Sequence, residues 1–579
     1  MALGPFKDGT LLKLKVHGLD ATGKTVLMAD TVVKTDGSSK YSIALDGAYQ
    51  HYAGPILVEL SDADATTSDF KSEATGIEVP LGSLTLRAAG YLASSGASTL
   101  NITPLTELAV RTALGNPSTS EGVVLPSQDA INTANQSVAQ AFGLGKQVSV
   151  ASSAVKTVFD AGFNPSDTSV GTKYALVLAA LSGVDSTQTL PAAGTAADQT
   201  AKTLETFASY FTAATVGTST TPTSLSMALI EQMIQGALVT QSTVQALSQN
   251  ESLNVPALLA KQMAQSYTDS GGGRVLALVG SPVNTLGSRG ALLEFHFDQP
   301  ISNFSDHDVI FSEPGFHLDS LKPTDNQGLS WSAVLVPPTD AAANPNKVVI
   351  RFASPQWLGN SWAWTVDTTP PSGPKALTLA PYNSLSQNSD SGVSATDRVS
   401  NVKLPAVRVA LNSDDSVAGD QLIVRQVGLA DDGVILNSQD LPRNLVTHTL
   451  SASDIDTGWV DISLNDLGAD GNYRFAVLQQ DAAGNPSPTL YLPYTLDTLA
   501  PGVVKLTNAN PQGLIDFGPQ TPLGLVNAKT KSAGILLQGE GGEPGCTVTV
   551  VWGGKTVRQG VLVNDDGTWS VQLDASTVP

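Results

Sequence analysis

Asp367-Thr-Thr-Pro-Pro371 recurs 130 residues further along the chain as Asp497-Thr-Leu-Ala-Pro501. A proline-bearing segment that returns at such an interval marks the two ends of one domain. Between the two copies lie short apolar runs such as Val407–Leu411 and Tyr473–Leu478, separated by turn residues. Runs of this length and spacing are typical of the strands of a β-sandwich. The repeat therefore predicts one sandwich domain over 367–500.

Strand patterns continue on both sides of this domain. Leu12–Val16 alternates apolar and polar residues, which is the two-residue period of a half-buried strand. Leu292–Phe297 and Lys347–Phe352 are strand-like as well, and so is Trp569–Leu573 near the C-terminus. These segments predict further sandwiches before 367 and after 500.

Residues 86–270 change to the helical period, in which apolar residues recur three and four positions apart. Thr103 suits a helix N-cap, and Pro104 suits the first helical turn. The region predicts a small helical bundle. Its predicted helices begin near Pro104 and further cover Gln128–Phe142, Tyr174–Leu181, Ala196–Ala213, Leu225–Ser248 and Ala257–Tyr267.

The 579 residues suffice for about four domains at the usual size of 100–200 residues each. The predicted domains are 1–85 (sandwich-like), 86–270 (helical), and sandwiches at 271–366, 367–500 and 501–579. The last sandwich is expected to be incomplete, because no closing strand follows Trp569–Leu573.

Composition excludes some functions. Acidic residues outnumber basic ones 52 to 31, a formal net charge of −21, which repels the phosphates of nucleic acids and favours cations. Cys546 is the single cysteine, so no disulfide forms within the chain. No apolar run is long enough to span a bilayer, and the first residues do not form a signal peptide.

The segment from 372 to 501 closely resembles the bacterial immunoglobulin-like repeats of large surface adhesins. The residues that carry this resemblance are Asp367–Pro371, Asp390-Ser-Gly392, Thr396-Asp397, Asn401, Gly471-Asn-Tyr473, Asp481-Ala-Ala-Gly-Asn485 and Asp497–Pro501. Residues 292–309 and 543–571 look like two further immunoglobulin-like repeat types from the same kind of protein. Asn101–Ala109 is similar to a segment found near helical regions of long bacterial exported proteins.

The resemblance implies a mainly β fold of tandem immunoglobulin-like β-sandwiches with one α-helical domain in the N-terminal half. It also implies a non-catalytic structural or adhesive role at the bacterial cell surface. Expected partners are further copies of the chain, neighbouring surface proteins or glycans. Two alternatives stay open: a self-assembling surface-layer or filament subunit, and an array of carbohydrate-binding modules. An enzyme with its chemistry in 86–270 is disfavoured, because that region has no histidine and no cysteine.

Calcium is the expected cofactor. This hard cation takes six to eight oxygens, mostly from Asp, Asn and backbone carbonyls in loops. In adhesin repeats that look like this one, calcium commonly stiffens the joints between sandwiches. The alternative is that the same residues only form Asx-turns and caps. The candidate ligands are Asp367, Asp390, Asp397, Asn401, Asp481, Asn485 and Asp497.

Two further motifs have competing interpretations. Trp357, Trp362 and Trp364 either form an aromatic platform for sugar rings or fill a sandwich core, and core filling is favoured. Gly18-Leu-Asp-Ala-Thr-Gly-Lys-Thr25 fits the phosphate-binding loop pattern, which requires a helix directly after it. Because Val26–Val33 is strand-like, the motif predicts a hairpin turn instead.

Overall fold

The chain forms two compact units, unit 1 (Met1–Thr369) and unit 2 (Pro370–Pro579). A computed structural model describes residues 9–35, 40–64, 67–94, 96–120, 122–189, 195–218, 222–267, 274–338, 347–392, 394–427, 443–508 and 526–577.

Unit 1 contains a sheet, a layer of helices and a β-sandwich, in chain order. Its strands are β1 (Leu11–Leu19), β2 (Thr25–Lys34), β3 (Gly54–Asp62), β4 (Phe70–Lys71), β5 (Glu78–Val79), β6 (Leu86–Leu92), β7 (Val275–Gly280), β8 (Thr285–Leu286), β9 (Ala291–Phe297), β10 (Val309–Phe311), β11 (His317–Pro323), β12 (Ser330–Val336), β13 (Lys347–Phe352), β14 (Trp357–Gly359) and β15 (Trp362–Val366). Its helices are α1 (Pro104–Leu114), α2 (Gln128–Ala141), α3 (Val170–Ser186), α4 (Ala196–Thr218), α5 (Met227–Val239), α6 (Gln241–Ser248) and α7 (Val255–Ser266).

The N-terminal sheet has the antiparallel order β2-β1-β3-β6. Leu12, Leu14 and Val16 alternate into buried positions on β1, as the two-residue period predicts. Strand β6 pairs with β3 along its whole length, so β-structure continues to Leu92. The sequence instead predicts helical structure from 86. Arg87-Ala-Ala-Gly-Tyr91 shows no clear period, and sheet pairing decides its conformation.

The helical layer begins where its cap chemistry predicts. Thr103 is the N-cap of α1, its hydroxyl accepting a hydrogen bond from the Thr106 backbone N–H. The Thr106 hydroxyl in turn accepts one from the Thr103 N–H at 2.8 Å. This reciprocal pair is a capping box that uses threonine instead of glutamate, which leaves Glu107 available for another role.

Glu107 is a buried acidic residue of α1 that joins the helical layer to the sheet. Its carboxylate accepts hydrogen bonds from the backbone N–H and the Nε of Arg87 on β6, both at 2.9 Å. A second guanidinium nitrogen of Arg87 lies 2.6 Å from the other carboxylate oxygen, and Arg111 Nε donates to that oxygen at 2.8 Å. Arg87 is 1% exposed and Glu107 is 0% exposed. A buried carboxylate is therefore neutralised by two guanidinium groups.

The sandwich of unit 1 packs the sheet β10-β13-β15-β8 against the sheet β11-β12-β9-β7-β14. Helix α7 packs against β7 and β9 of this sandwich. The approach is close, because a Cβ at Gly280 would lie 2.7 Å from the backbone nitrogen of Ala257. Most buried apolar residues between Leu12 and Val366 form one contiguous core, beside two smaller clusters at the N-terminal sheet. The stretches 1–85, 86–270 and 271–366, predicted as three domains, thus share a core.

Unit 2 contains a second sandwich and a smaller C-terminal group of strands. Its elements are β16 (Ala376–Leu379), β17 (Val399–Ser400), β18 (Ala406–Ala410), β19 (Gln421–Val427), β20 (Arg443–Thr449), α8 (Ala452–Thr457), β21 (Trp459–Ser463), β22 (Gly471–Gln480), β23 (Leu490–Leu496), β24 (Lys505–Leu506), α9 (Ala528–Ala533), β25 (Ile535–Glu540), β26 (Thr547–Trp552), β27 (Lys555–Leu562) and β28 (Trp569–Leu573).

In the second sandwich, the sheet β16-β18-β21 packs on the sheet β17-β23-β22-β19-β20. Val407 and Val409 of the first sheet share a core with Phe475, Val477 and Tyr494 of the second. The C-terminal group pairs β24-β25-β28 in one sheet and β26-β27 in another around its own small core. The predicted class, mainly β with sandwiches and a helical region in the N-terminal half, is confirmed.

The buried ion pair gives a stability prediction. Replacing Glu107 with Gln leaves two guanidinium groups of the unit 1 core without a counter-charge, so we expect Glu107→Gln to cost about 3–5 kcal/mol of the free energy of unfolding. Glu205→Gln on α4 is the matched control, because Glu205 is exposed. Urea unfolding of the full chain measures both variants. Equal transition midpoints for the two variants would show that the ion pair is dispensable.

Candidate functional site

The predicted calcium ligands of unit 2 lie at two opposite ends of its sandwich. Strand β22 pairs with the end of β23 at Gly471, whereas the Asp481–Asn485 turn follows its last residue, Gln480. A strand of ten residues spans about 30 Å. We call the loops carrying Asp390, Asp397, Asn401 and Asp497 the exit end, and the Asp481–Asn485 turn the turn end. One cation does not reach both.

The exit end is organised by the short strand β17. Val399 and Ser400 pair in parallel with Thr495 and Leu496 of β23. The next residue, Asp497, donates its backbone N–H to the Ser400 carbonyl at 2.9 Å. Four of the seven predicted ligands are thereby brought to one end of one sandwich.

Asp390 is the most unusual residue of the exit end. It is 5% exposed, and its Oδ2 accepts a hydrogen bond from the Arg398 N–H at 3.2 Å. Its Oδ1 is buried and has no hydrogen-bond partner within the described residues. Burial raises the pKa of this carboxyl above its ordinary value, and the nearby charge of Asp397 raises the pKa further. No hydrogen bond within the described residues would have to be broken for this oxygen to bind a cation.

The other exit-end residues are partly engaged in turns. Asp397 Oδ1 accepts from the Val399 N–H at 3.1 Å, and Asp497 Oδ1 accepts from the Leu499 N–H at 3.0 Å. Asn401 Oδ1 accepts from the Ser391 hydroxyl at 2.8 Å. Asp397 and Asp497 thus form Asx turns, as the alternative interpretation predicts, whereas Asn401 is held by a serine from another loop. Each of these oxygens can accept a further bond.

Ser391 and Ser400, which are not among the predicted calcium ligands, connect these loops. Their hydroxyl oxygens are 2.9 Å apart. Their positions in the sequence could have indicated this role, because Ser391 directly follows Asp390 and Ser400 directly precedes Asn401.

The turn end is a closed polar turn. Asp481 accepts hydrogen bonds from both the backbone and the side-chain amide of Asn485, each at 2.8 Å. Asn485 is 0% exposed, as is Gln479, whose side-chain amide donates to Asp420 at 2.7 Å. The carboxylate of Asp481 is thus oriented inward on its own turn, which fits a structural function.

Asp367, the seventh candidate, ends the sandwich of unit 1 in the same way as Asp497 ends that of unit 2. Val366 pairs in parallel with Leu286, and the Asp367 N–H donates to the Leu286 carbonyl at 3.0 Å. Asp367 Oδ1 accepts from the Thr369 N–H at 3.1 Å. The repeated sequence Asp-Thr therefore encodes a repeated structure: a last strand locked in parallel, followed by an Asx turn.

Two properties of the described ranges concern cations and membranes. Across the described ranges, no three or more His, Cys, Asp or Glu side chains are grouped so that they could hold a metal ion. A calcium ion at the exit end would therefore need Asn, Ser, carbonyl or water oxygens as well. The described helices include none that is both long and apolar enough to cross a membrane.

The interpretation of the tryptophans as a ligand platform is wrong. Trp362 and Trp364 are 1% and 0% exposed, because alternate residues of β15 point into the sandwich core. Trp357 is half-buried and packs edge-on against Phe297 and Phe352, with ring centroids 5.5 and 5.9 Å apart. Buried rings do not stack on an external sugar, and the core-filling interpretation holds.

The phosphate-loop pattern is a hairpin, as its strand-like continuation predicts. Leu19 pairs with Thr25 across the turn, and β2 follows directly. Asp20 Oδ1 accepts from the backbone N–H groups of Thr22 and Lys24 at 2.8 and 2.9 Å. These N–H groups, which would hold phosphate in a true phosphate loop, are occupied by the aspartate.

No protein-family model matches the chain, and neither does any curated protein. Among solved structures, the tetra-tandem repeat of the extending region of a large adhesion protein is 14% identical, covering 53% of this chain and 67% of that one at a TM-score of 0.16. The D00-D0 domain of intimin is 10% identical and covers 38% of this chain and 99% of that one at a TM-score of 0.14. TM-scores this low do not establish that the chain shares its fold or its role with either protein.

Asp390 predicts a pH dependence of stability. Because its pKa is raised in the folded state, ionisation opposes folding. Its stabilising contribution is complete below the unfolded pKa and is lost as pH rises through the folded pKa. In chelator, we expect the melting temperature of Asp390→Asn to rise relative to wild type between pH 4 and pH 7. Asp574→Asn, at an exposed position, controls for the lost negative charge. A pH-independent difference between Asp390→Asn and wild type would contradict the burial argument.

Proposed function

We propose that this chain is a non-catalytic structural or adhesive segment of a bacterial cell-surface protein, in which sandwiches act as stiff repeating units. The repeated ending of the two sandwiches is the observation that supports this proposal. Asp367 and Asp497 each follow a strand held by parallel pairing, and each caps its own turn before a proline. Prolines restrict the backbone after each turn, so the segments that leave the sandwiches resist bending.

The alternative within the same class is a subunit that assembles into a surface layer or filament. Leu499 and Val503, which follow the exit end, are 76% and 84% exposed. Contact with another subunit at this end would bury both side chains, which is favourable for apolar surface. The carbohydrate-array alternative depends on the tryptophans as a sugar platform. It is disfavoured because Trp362 and Trp364 are buried and Trp357 packs against Phe297 and Phe352.

Location and arrangement on intact cells test the proposal. We expect antibody-gold labels against the chain to decorate the outside of unpermeabilised source cells in electron micrographs. Scattered labels that extend from the cell, together with loss of attachment in a deletion strain, support the adhesive form. An ordered array supports the assembly alternative. Labels seen only after permeabilisation would overturn both.

We further propose that calcium binds at the exit end rather than at the turn end. The unpartnered Oδ1 of Asp390 supplies one buried ligand, and the neighbouring Asp397 adds negative charge. Asn401 and Ser391 offer neutral oxygens close by. A divalent cation would offset the repulsion between the two carboxylates and fix the loops from which the next linker leaves. Magnesium should substitute poorly, since it requires a smaller octahedral shell.

Thermal unfolding in calcium and in chelator tests this site. Millimolar calcium should stabilise the full chain by about 2.7 kcal/mol at a hundredfold excess over Kd. Asp390→Asn with Asp397→Asn should remove most of this gain, even though Asp390→Asn alone stabilises the chain in chelator. Asp481→Asn at the turn end is the matched control and should keep the gain. Identical wild-type curves in calcium and chelator would remove calcium from the proposal.

A further inference from the structure

A cleft of about 430 Å³ lies in unit 1 between the C-terminal end of α3 and the first turns of α5. The two helices touch where two glycines meet, because a Cβ at Gly183 would lie 1.9 Å from the carbonyl oxygen of Gly236. Helices that cross at one close contact separate on either side of it. The cleft is the space on one side of this crossing.

The α5 wall of the cleft is a polar stripe at helical spacing. Gln235 lies four positions after Glu231 and three after Gln232, so its side chain is next to both of theirs on the helix surface. Gln188 and Thr187, just beyond the last turn of α3, form the opposite side. Val184 and Ala228 supply a small apolar patch between them.

The amides of this stripe have unused hydrogen-bonding capacity. Gln232 is exposed and Gln188 and Gln235 are partly exposed, so these side-chain amides are open to solvent and are not engaged by the described protein. Glu231 Oε1 accepts from the Ser361 hydroxyl at 2.8 Å, which fixes the carboxylate at the rim. Each free carboxamide presents two N–H donors and one oxygen acceptor toward the same space.

Charge narrows the class of ligand. Among the described lining residues there is no lysine or arginine, and Glu231 adds one negative charge. An anion would be repelled, and one carboxylate is too few for a divalent cation. Carboxamides beside a carboxylate and a hydroxyl complement a molecule with several hydroxyl groups, each of which both donates and accepts. A small apolar patch complements the C–H face of such a molecule.

We propose that this cleft binds a neutral carbohydrate of one or two sugar units. The volume lies within the range of small-molecule sites, about 300–1,000 Å³. The inference goes beyond the structural role and does not depend on it, since the cleft lies at α3 and α5 of unit 1 and includes none of the exit-end residues. It also differs from the tryptophan platform, because hydrogen bonds rather than ring stacking hold the sugar.

Saturation-transfer NMR on the full chain tests the site. The probes are the methyl glycosides of glucose, galactose, mannose and N-acetylglucosamine, with lactose, maltose and cellobiose. At least one neutral probe should bind, and Gln232→Ala with Gln235→Ala should raise its Kd at least about tenfold. Gln128→Ala on α2 is the matched control, because Gln128 is an exposed helical glutamine that does not line the cleft.

Alanine preserves helix propensity, so the α5 variant should keep its far-ultraviolet circular dichroism. If it does not fold, Gln188→Ala, beyond the end of α3, makes the same test from the other wall. Absence of binding by every neutral probe would overturn the proposal. Equal affinity of the control and the cleft variants would also overturn it, as would binding of charged sugar acids alone.

Discussion

The carboxylate of Glu107, held by Arg87 and Arg111, is the interaction on which the architecture of unit 1 depends. It binds both the backbone and the side chain of Arg87, so it fixes the position of α1 relative to β6 as well as the charge balance. A buried ion pair contributes little net stability compared with an apolar substitute, but its directional bonds permit one arrangement. The helical layer is thereby placed on the sheet in one register.

This placement explains why helices and strands share a core in unit 1. Once α1 is fixed on the N-terminal sheet, the remaining helices fill the space up to the sandwich, and α7 contacts β7 and β9. Small residues permit the close approaches, as at Gly280 against Ala257. A change of period in the sequence marks a change of secondary structure here, but not the end of a packed body. Domain limits drawn at such changes divide a core that is contiguous.

Local sequence patterns predicted where helices and strands lie, but they did not predict how these elements pack together. The Thr103 cap and Pro104 located the start of α1, and two-residue alternation located the sandwich strands. Leu225–Ser248 was predicted as one helix, yet α5 and α6 meet at Thr240, where no glycine or proline signals a break. Thr240 is buried, and its hydroxyl donates to the Ala237 carbonyl, so tertiary packing decides the break. Likewise, the Asp and Asn pattern identified turn residues but not their distribution between two ends, because the length and pairing of β22 set that separation.

Three buried carboxyl groups show how an acidic chain resolves the cost of burial in different ways. Glu107 is neutralised by two arginines. Glu73 is 0% exposed, both its oxygens are without a hydrogen-bond partner in the described structure, and burial raises its pKa well above the ordinary value. Burial favours the protonated form of Glu73, since the neutral acid loses less on burial than the ion. Asp390 falls between the two: the Arg398 N–H favours its charged form, while burial and Asp397 oppose it. Asp69 is a similar case, because its carboxylate accepts from the Leu81 N–H while burial and the charges of Asp62 and Asp64 oppose its ionisation. A half-satisfied carboxylate beside a second carboxylate is an arrangement that a bound cation would stabilise, which is why the proposed calcium site rests on local geometry rather than on the number of acidic residues.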